Sequence, residues 1–259
     1  MKAVIFAGGF GTRLAEETAI RPKPMVEVGA RPILWHIMKI CAHHGINDFV
    51  VLGGYKVEFI RNWLLNYRQS LSDFTIDLHS GHVEFLSNGV EPWRITVLDT
   101  GLETMTGGRL KRARQVIGQD SFLLTYGDGV SDVDLTDLIA FHKRHGKMAT
   151  VTAVAPAGRF GILGLSEDSD TVSSFREKDR RDTGLINGGF FVCEAGVFDL
   201  IDGDATVWEQ EPMDRLVQQG ELAAYRHQGF WQAMDNVHDR TVLERMWSAG
   251  KAPWKVWAD

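Results

Sequence analysis

The chain has 259 residues, of which 44% are hydrophobic and 24% charged, enough for one large globular domain and without the bias that marks disorder. Its formal net charge of -6 excludes a broad basic face for nucleic acid or anionic lipid, while leaving room for a small basic pocket around an anionic ligand. The only cysteines, Cys41 and Cys193, sit in apolar contexts that give neither a disulfide framework nor a zinc site, and no segment approaches the ~20 apolar residues of a membrane span, so a soluble cytoplasmic protein is expected.

KAVIFA (2–7) is apolar without alternation, the pattern of a strand buried on both faces of a parallel sheet. It runs straight into GGFGTRL. Gly8, Gly9 and Gly11 allow close backbone approach, so that successive N–H groups can point at a phosphate; the same glycines also suit a plain turn. Thr12 and Arg13 follow, and a guanidinium just beyond a nest of backbone donors matches a polyphosphate or a leaving pyrophosphate, or simply a surface arginine. In RPKPM (21–25) two prolines stiffen the backbone on either side of Lys23, which suits a phosphate clamp as well as an exposed turn.

PILWHIMKICAHHG (32–45) has the spacing of an amphipathic helix, DFVVLGGY (48–55) reads as a second strand ending in glycines, and EFIRNWLLNYRQ (58–69) as a second helix. Such alternation predicts right-handed parallel crossovers and a doubly wound sheet whose ligand crevice lies at the carboxyl ends of the strands, where the opening loop also lies. A dinucleotide oxidoreductase is disfavoured, because the second strand ends in Gly53, Gly54 and Tyr55 and not in an acid. FTIDLHS and WRITVLD predict strands with an insertion between them, and GGRLKRARQVI (107–117) a helix with a basic face that begins near Arg109.

SFLLTYGDGVSDVDL (121–135) is a core strand running into an acidic loop. Asp128, between two glycines at the strand's end, overlooks the crevice and suits a hard divalent cation, although Gly-Asp-Gly is also ordinary turn chemistry. A helix in LTDLIAFHKRHG and a strand in MATVTAV follow, then shorter strands in FGILGL, TVSSFRE and NGGFFVC, with Glu177 and Lys178 adjacent in FREKD. Helices are expected in GVFDLIDG and over 208–219, strands in ELAAYRHQGFWQAMD ending on Asp235, and a last helix over 237–249. With no linker, repeat or low-complexity tract, 1–259 reads as a single domain. Trp247, Trp254 and Trp257 make the C-terminal tail too aromatic for water, which predicts that it packs at a subunit interface.

Taken in order, AGGFGTRL, RPKPM, YGDG, EK, INGGFF and MD resemble the sugar-phosphate nucleotidylyltransferases over nearly the whole chain. PILWHIMK, VEPWRITVLDTG, MTGGRLKR, WEQEPM and GKAPWK are similar to the members of that family that act on CTP and glucose 1-phosphate. The resemblance implies an α/β, Rossmann-like doubly wound mixed sheet of the nucleotide-diphospho-sugar transferase type with small β insertions. It implies the reaction CTP + α-D-glucose 1-phosphate → CDP-glucose + pyrophosphate, by in-line attack of the sugar phosphate on the α-phosphorus with Mg2+ as cofactor. UTP or dTTP in place of CTP, or another phosphorylated acceptor for CTP, is the alternative. Gly8, Gly9, Gly11 and Thr12 would then hold the nucleotide and Arg13 the leaving pyrophosphate, while Lys23 would touch the α-phosphate. Asp128 and Asp235 would be the paired metal ligands. Glu177, Lys178, Asn187 and Gly188 would lie on the sugar side, and Arg109 against the triphosphate or the base. A homo-oligomer, such as a hexamer, is implied as well. Asp179 departs from the proline that usually follows the Glu-Lys pair, which touches the loop over the sugar.

Overall fold

The computed structural model describes residues 1–87, 89–155, 162–166, 169–176 and 184–258, so Glu177 and Lys178 lie outside the described residues. Among the described residues eight strands form the central sheet: β1 (Lys2–Ala7), β2 (Asp48–Gly53), β3 (Arg94–Asp99), β4 (Phe122–Tyr126), β5 (Ala149–Val154), β6 (Ile186–Asn187), β7 (Phe191–Cys193) and β8 (Leu222–His227). β1 lies between β2 and β4, and β3 continues beyond β2, all four parallel. β7 joins β4 antiparallel, β5 joins β7 antiparallel, and β8 joins β5 parallel. The sheet is therefore mixed, as expected.

Why β1 sits centrally follows from its unbroken apolar run. Ala3, Ile5 and Ala7 pack into one core and Val4 and Phe6 into the other, because successive side chains leave opposite faces of a strand. β2 does the same with Phe49 and Val51 against Val50 and Leu52. The first face is covered by α1 (Ile33–His43) and by Leu243 of the last helix, Val237–Ser248. The second is covered by α2 (Thr106–Arg112), through Leu110, and by Phe198 and Trp208. The helix expected over 58–69 divides at Asn66, into Val57–Leu65 and Tyr67–Leu71.

Small β insertions are present as antiparallel hairpins, Phe74–Asp77 with His82–Phe85 and Ile162–Ser166 with Ser169–Arg176. β6 and β7 run along the same edge of β5 but are offset by a bulge at Gly188, Gly189 and Phe190, whose last two residues have φ of 74° and 44°. Glycine accepts the first of these readily; Phe190 is held there by complete burial.

Trp254 is 0% and Trp257 8% exposed, and both rings pack around buried His36 with Trp35 and Trp247, mostly edge-on or tilted. The segment folds back over α1, which covers these rings within the chain. The large exposed apolar side chains include Phe74, Ile76 and Leu78 on the first hairpin and its turn.

Candidate active site

At the carboxyl ends of β1 and β4 a cavity of about 440 Å³ opens, lined by the glycine loop, Lys23, Asp128 and Asp235. The ends of parallel strands carry the ligand crevice in such sheets, and β1 delivers its loop there directly. Gly8, Gly9, Gly11 and Thr12 line it; Gly11 has φ 65°, and Arg13 lies in the one-turn helix Thr12–Leu14 that closes the loop.

Pro22 and Pro24 do hold Lys23 on a set path. Pro22, with φ -69° and ψ 151°, precedes a one-turn helix Lys23–Met25, and Pro24 and Met25 are buried beneath it. The ammonium ends 2.7 Å from Asp128 Oδ2 and 2.7 Å from Asp235 Oδ1. Burial works against its charge, but the carboxylates of Asp128 and Asp235 outweigh that and raise its pKa.

Asp128 and Asp235 are 107 positions apart in the chain, yet a two-stranded ladder brings them together. Gly129–Ser131 pairs antiparallel with Trp231–Ala233, and Met234 N donates to Asp128 O at 2.8 Å, so each acid leaves the same end of the ladder. At its other end Asp132 Oδ1 accepts from Phe230 N at 2.7 Å and from His227 Nε2 at 2.9 Å. Two carboxylates offering hard oxygens around one point of positive charge fit a divalent cation. Among the described residues no group of three or more His, Cys, Asp or Glu side chains gathers, so the further ligands of such an ion would be substrate phosphate and water.

Arg109 is 4% exposed and sits under the loop. Its guanidinium donates to Gly53 O (3.1 Å), Thr100 Oγ1 (2.7 Å), Gly101 O (2.6 Å), Gly8 O (3.0 Å) and Leu102 O (3.1 Å). It thus ties the ends of β1, β2 and β3 together from below the cavity. A Cβ on Gly8 would stand 2.3 Å from its Nη1, so the loop needs glycine there for close approach.

On the opposite side, Asn187 Oδ1 accepts from Gly189 N at 2.8 Å, and Trp231 Nε1 donates to Gly188 O at 2.7 Å. The first bond holds the INGG turn in shape, and the second fastens it to the strand that leads to Asp235. Tyr126, which lines the cavity one residue before Gly127, accepts from Asn187 Nδ2 at 3.0 Å. Neither Tyr126 nor the 102–106 segment of the cavity wall was singled out from the sequence. The signal for Tyr126 was available, as an aromatic hydroxyl ending a core strand beside Gly-Asp-Gly; the wall segment has no comparable mark.

The chain matches the nucleotidyl transferase family profile over residues 2–235. It is 54% identical over 258 residues to the glucose-1-phosphate cytidylyltransferase of Salmonella typhi, spanning 99% of this chain and 100% of that one. Among solved structures, HddC from Yersinia pseudotuberculosis matches with a TM-score of 0.70 at 21% identity, over 95% of this chain and 99% of that chain. UDP-glucose pyrophosphorylase from Acinetobacter baumanii matches at 0.69 and 18% identity, over 96% and 93% respectively, and both likenesses bear on the fold alone. With an α/β sheet of that architecture and a family match across most of its length, this enzyme belongs to the nucleotidyl transferase family.

Proposed function

We propose that the enzyme transfers the cytidylyl group of CTP to glucose 1-phosphate, forming CDP-glucose and releasing pyrophosphate. The observation that carries the reaction class is Lys23 held between Asp128 and Asp235 on the cavity that the glycine loop lines. The substrate pair is supported by the full-length likeness to the Salmonella typhi cytidylyltransferase. A phosphate oxygen of the sugar attacks the α-phosphorus in line, the P–O bond to the β-phosphate breaks, and the electron pair leaves with pyrophosphate.

Most of the work is positioning and charge stabilisation. Gly8, Gly9, Gly11 and Thr12 orient the triphosphate through the loop backbone, Arg13 takes the leaving pyrophosphate, and Lys23 turns from the two carboxylates to the phosphate being transferred. Arg109, through Gly8 O, sets the height of the loop and adds positive charge beneath it. Glu177, Lys178, Asn187 and Gly188 receive the sugar phosphate. Nucleotidyltransferases of this kind use a divalent metal; we take it to be Mg2+, held by Asp128 and Asp235, which would offset phosphate charge as the bond to pyrophosphate breaks.

The whole chain acts as a single nucleotidyltransferase domain in the cytoplasm, with no nucleic-acid or membrane partner. Among the described residues no helix is long and apolar enough to cross a membrane. It works as a homo-oligomer, for which the exposed Phe74, Ile76 and Leu78 of the first hairpin offer an apolar contact. A matrix of nucleoside triphosphates against sugar 1-phosphates, scored by pyrophosphate release, tests the assignment. CTP with glucose 1-phosphate should give the highest kcat/KM; faster turnover of UTP or dTTP with glucose 1-phosphate would overturn it.

A further inference from the structure

Asp235 stands at the seam between two elements. It follows the short strand Trp231–Ala233 and immediately precedes Asn236, the N-cap of the last helix, Val237–Ser248. Its backbone is held from both directions. Met234 N donates to Asp128 O at 2.8 Å, which fixes the peptide unit before Met234 to the chain beside the first acid. Asp235 N donates to Asp239 Oδ2 at 3.0 Å, which fixes the next peptide unit to the first turn of the helix.

Asp239 is itself locked in place for this contact. It is 7% exposed, and its own N–H donates to Asn236 Oδ1 at 2.9 Å. In the usual reciprocal cap, the acid at the third helical position reaches back to the N–H of the cap residue. Here the carboxylate reaches one residue further and takes the N–H of Asp235 instead. Burying a carboxylate close to a second acid is costly, and the positive end of a 12-residue helix offsets that cost. The two peptide planes on either side of Met234 are thus tied down, one to Asp128 and one to the helix. Together they set the direction in which the Cα–Cβ bond of Asp235 leaves the chain, and so where its carboxylate meets that of Asp128.

We infer that Asp239 is a positioning residue for the acid pair, holding Asp235 in the orientation that lets its carboxylate share one divalent cation with Asp128. This rests on the reading of Asp128 and Asp235 as a metal centre. A small divalent ion such as Mg2+ accepts little deviation from octahedral geometry at about 2.1 Å, so a modest rotation of Asp235 costs affinity even though both acids remain present. Groups that orient a metal's ligands without touching the ion act in this way.

The test uses the full-length enzyme and two substitutions that separate the hydrogen bond from the helix. Asp239→Asn keeps a side-chain oxygen for Asp235 N–H, whereas Asp239→Ala removes it. Mn2+ binding to the free protein, followed by electron paramagnetic resonance, should weaken by about tenfold to a hundredfold in the alanine variant and stay within about threefold of native in the asparagine variant. The Mg2+ concentration for half-maximal turnover should rise by the same factor in the alanine variant alone. Asp239→Ser, whose hydroxyl does not extend as far as the lost oxygen, takes the place of the alanine variant if that protein does not fold. Native Mn2+ affinity in the alanine or serine variant, or an equal loss in the asparagine variant, would overturn the inference. Asp235→Asn is the control that separates the two readings. If it abolishes Mn2+ binding while Asp239→Ala leaves binding unchanged, the metal centre stands and only the role of Asp239 fails; if Asp235→Asn binds Mn2+ as native does, the metal centre fails and the inference with it.

Discussion

Replacing Lys23 by methionine removes the ammonium that lies 2.7 Å from both Asp128 Oδ2 and Asp235 Oδ1 while keeping an unbranched side chain in its place. The two carboxylates then face each other at no more than twice that separation with no cation between them. Two like charges about 5 Å apart repel by ~3 kcal/mol at an effective dielectric of about 20. Side-chain exposures of 13% for Lys23 and 29% for each acid admit some water, and screening brings the figure to about 1–2 kcal/mol. In the native enzyme a divalent ion must displace the ammonium from both oxygens; in the variant it relieves a repulsion. Mn2+ should therefore bind the free variant about five- to thirtyfold more tightly than the native protein, read by electron paramagnetic resonance titration. Turnover should move the other way, falling by about 10²–10³, since under the proposed function the same ammonium serves the phosphate being transferred. Unchanged or weaker Mn2+ binding would refute the idea that Lys23 holds the place of the cation.

His36 gives a pH dependence of stability. Its Nε2 donates to Val28 O at 2.9 Å and its Nδ1 accepts from Trp254 Nε1 at 3.3 Å, so the ring is neutral, and burial lowers its pKa to about 4. The unfolded chain takes up that proton near 6.5, so the stabilisation is present above that pH and is lost as pH falls toward 4, by about 3 kcal/mol in all. Urea unfolding at several pH values should show this slope in native protein and a flatter one in His36→Gln; equal slopes would remove His36 as the cause. Gly8→Ala places a Cβ 2.3 Å from Arg109 Nη1 and should cost about 1–3 kcal/mol by thermal unfolding, with KM for the nucleotide rising more than KM for the sugar. Arg109→Lys keeps the charge but offers three donors where the guanidinium meets five acceptors, so melting should again reveal a loss of at least about 2 kcal/mol. A lysine variant as stable as native would show that the link between the strand ends is dispensable.

Strands such as KAVIFA and DFVVLG were legible because a run apolar on both faces has few other meanings, and the strand ends then placed the loop and Asp128 at one crevice. Lys23 and Asp235 could be joined to them only through family resemblance, since the ladder that unites Asp128 and Asp235 is a long-range pairing without a local signature. Arg109 was harder. Lys111, Arg112 and Arg114 beside it read as a solvated basic face, and Arg112 and Arg114 do pair with Asp204 and Asp199 at the surface, whereas Arg109 turns inward to backbone carbonyls that no side-chain pattern reveals. The Trp tail was legible as something needing cover, but not as covering its own α1, because composition states a need for burial without saying which surface meets it.

The central claim is that Asp128 and Asp235 act as one centre in cytidylyl transfer. Asp128→Asn and Asp235→Asn change the charge and little of the shape, and pyrophosphate release from CTP and glucose 1-phosphate should be followed in each against Mg2+ concentration. Both variants should keep native secondary structure by circular dichroism and fall by about 10²–10³ in kcat, with no recovery at high Mg2+. Near-native, metal-dependent turnover in both would contradict the account.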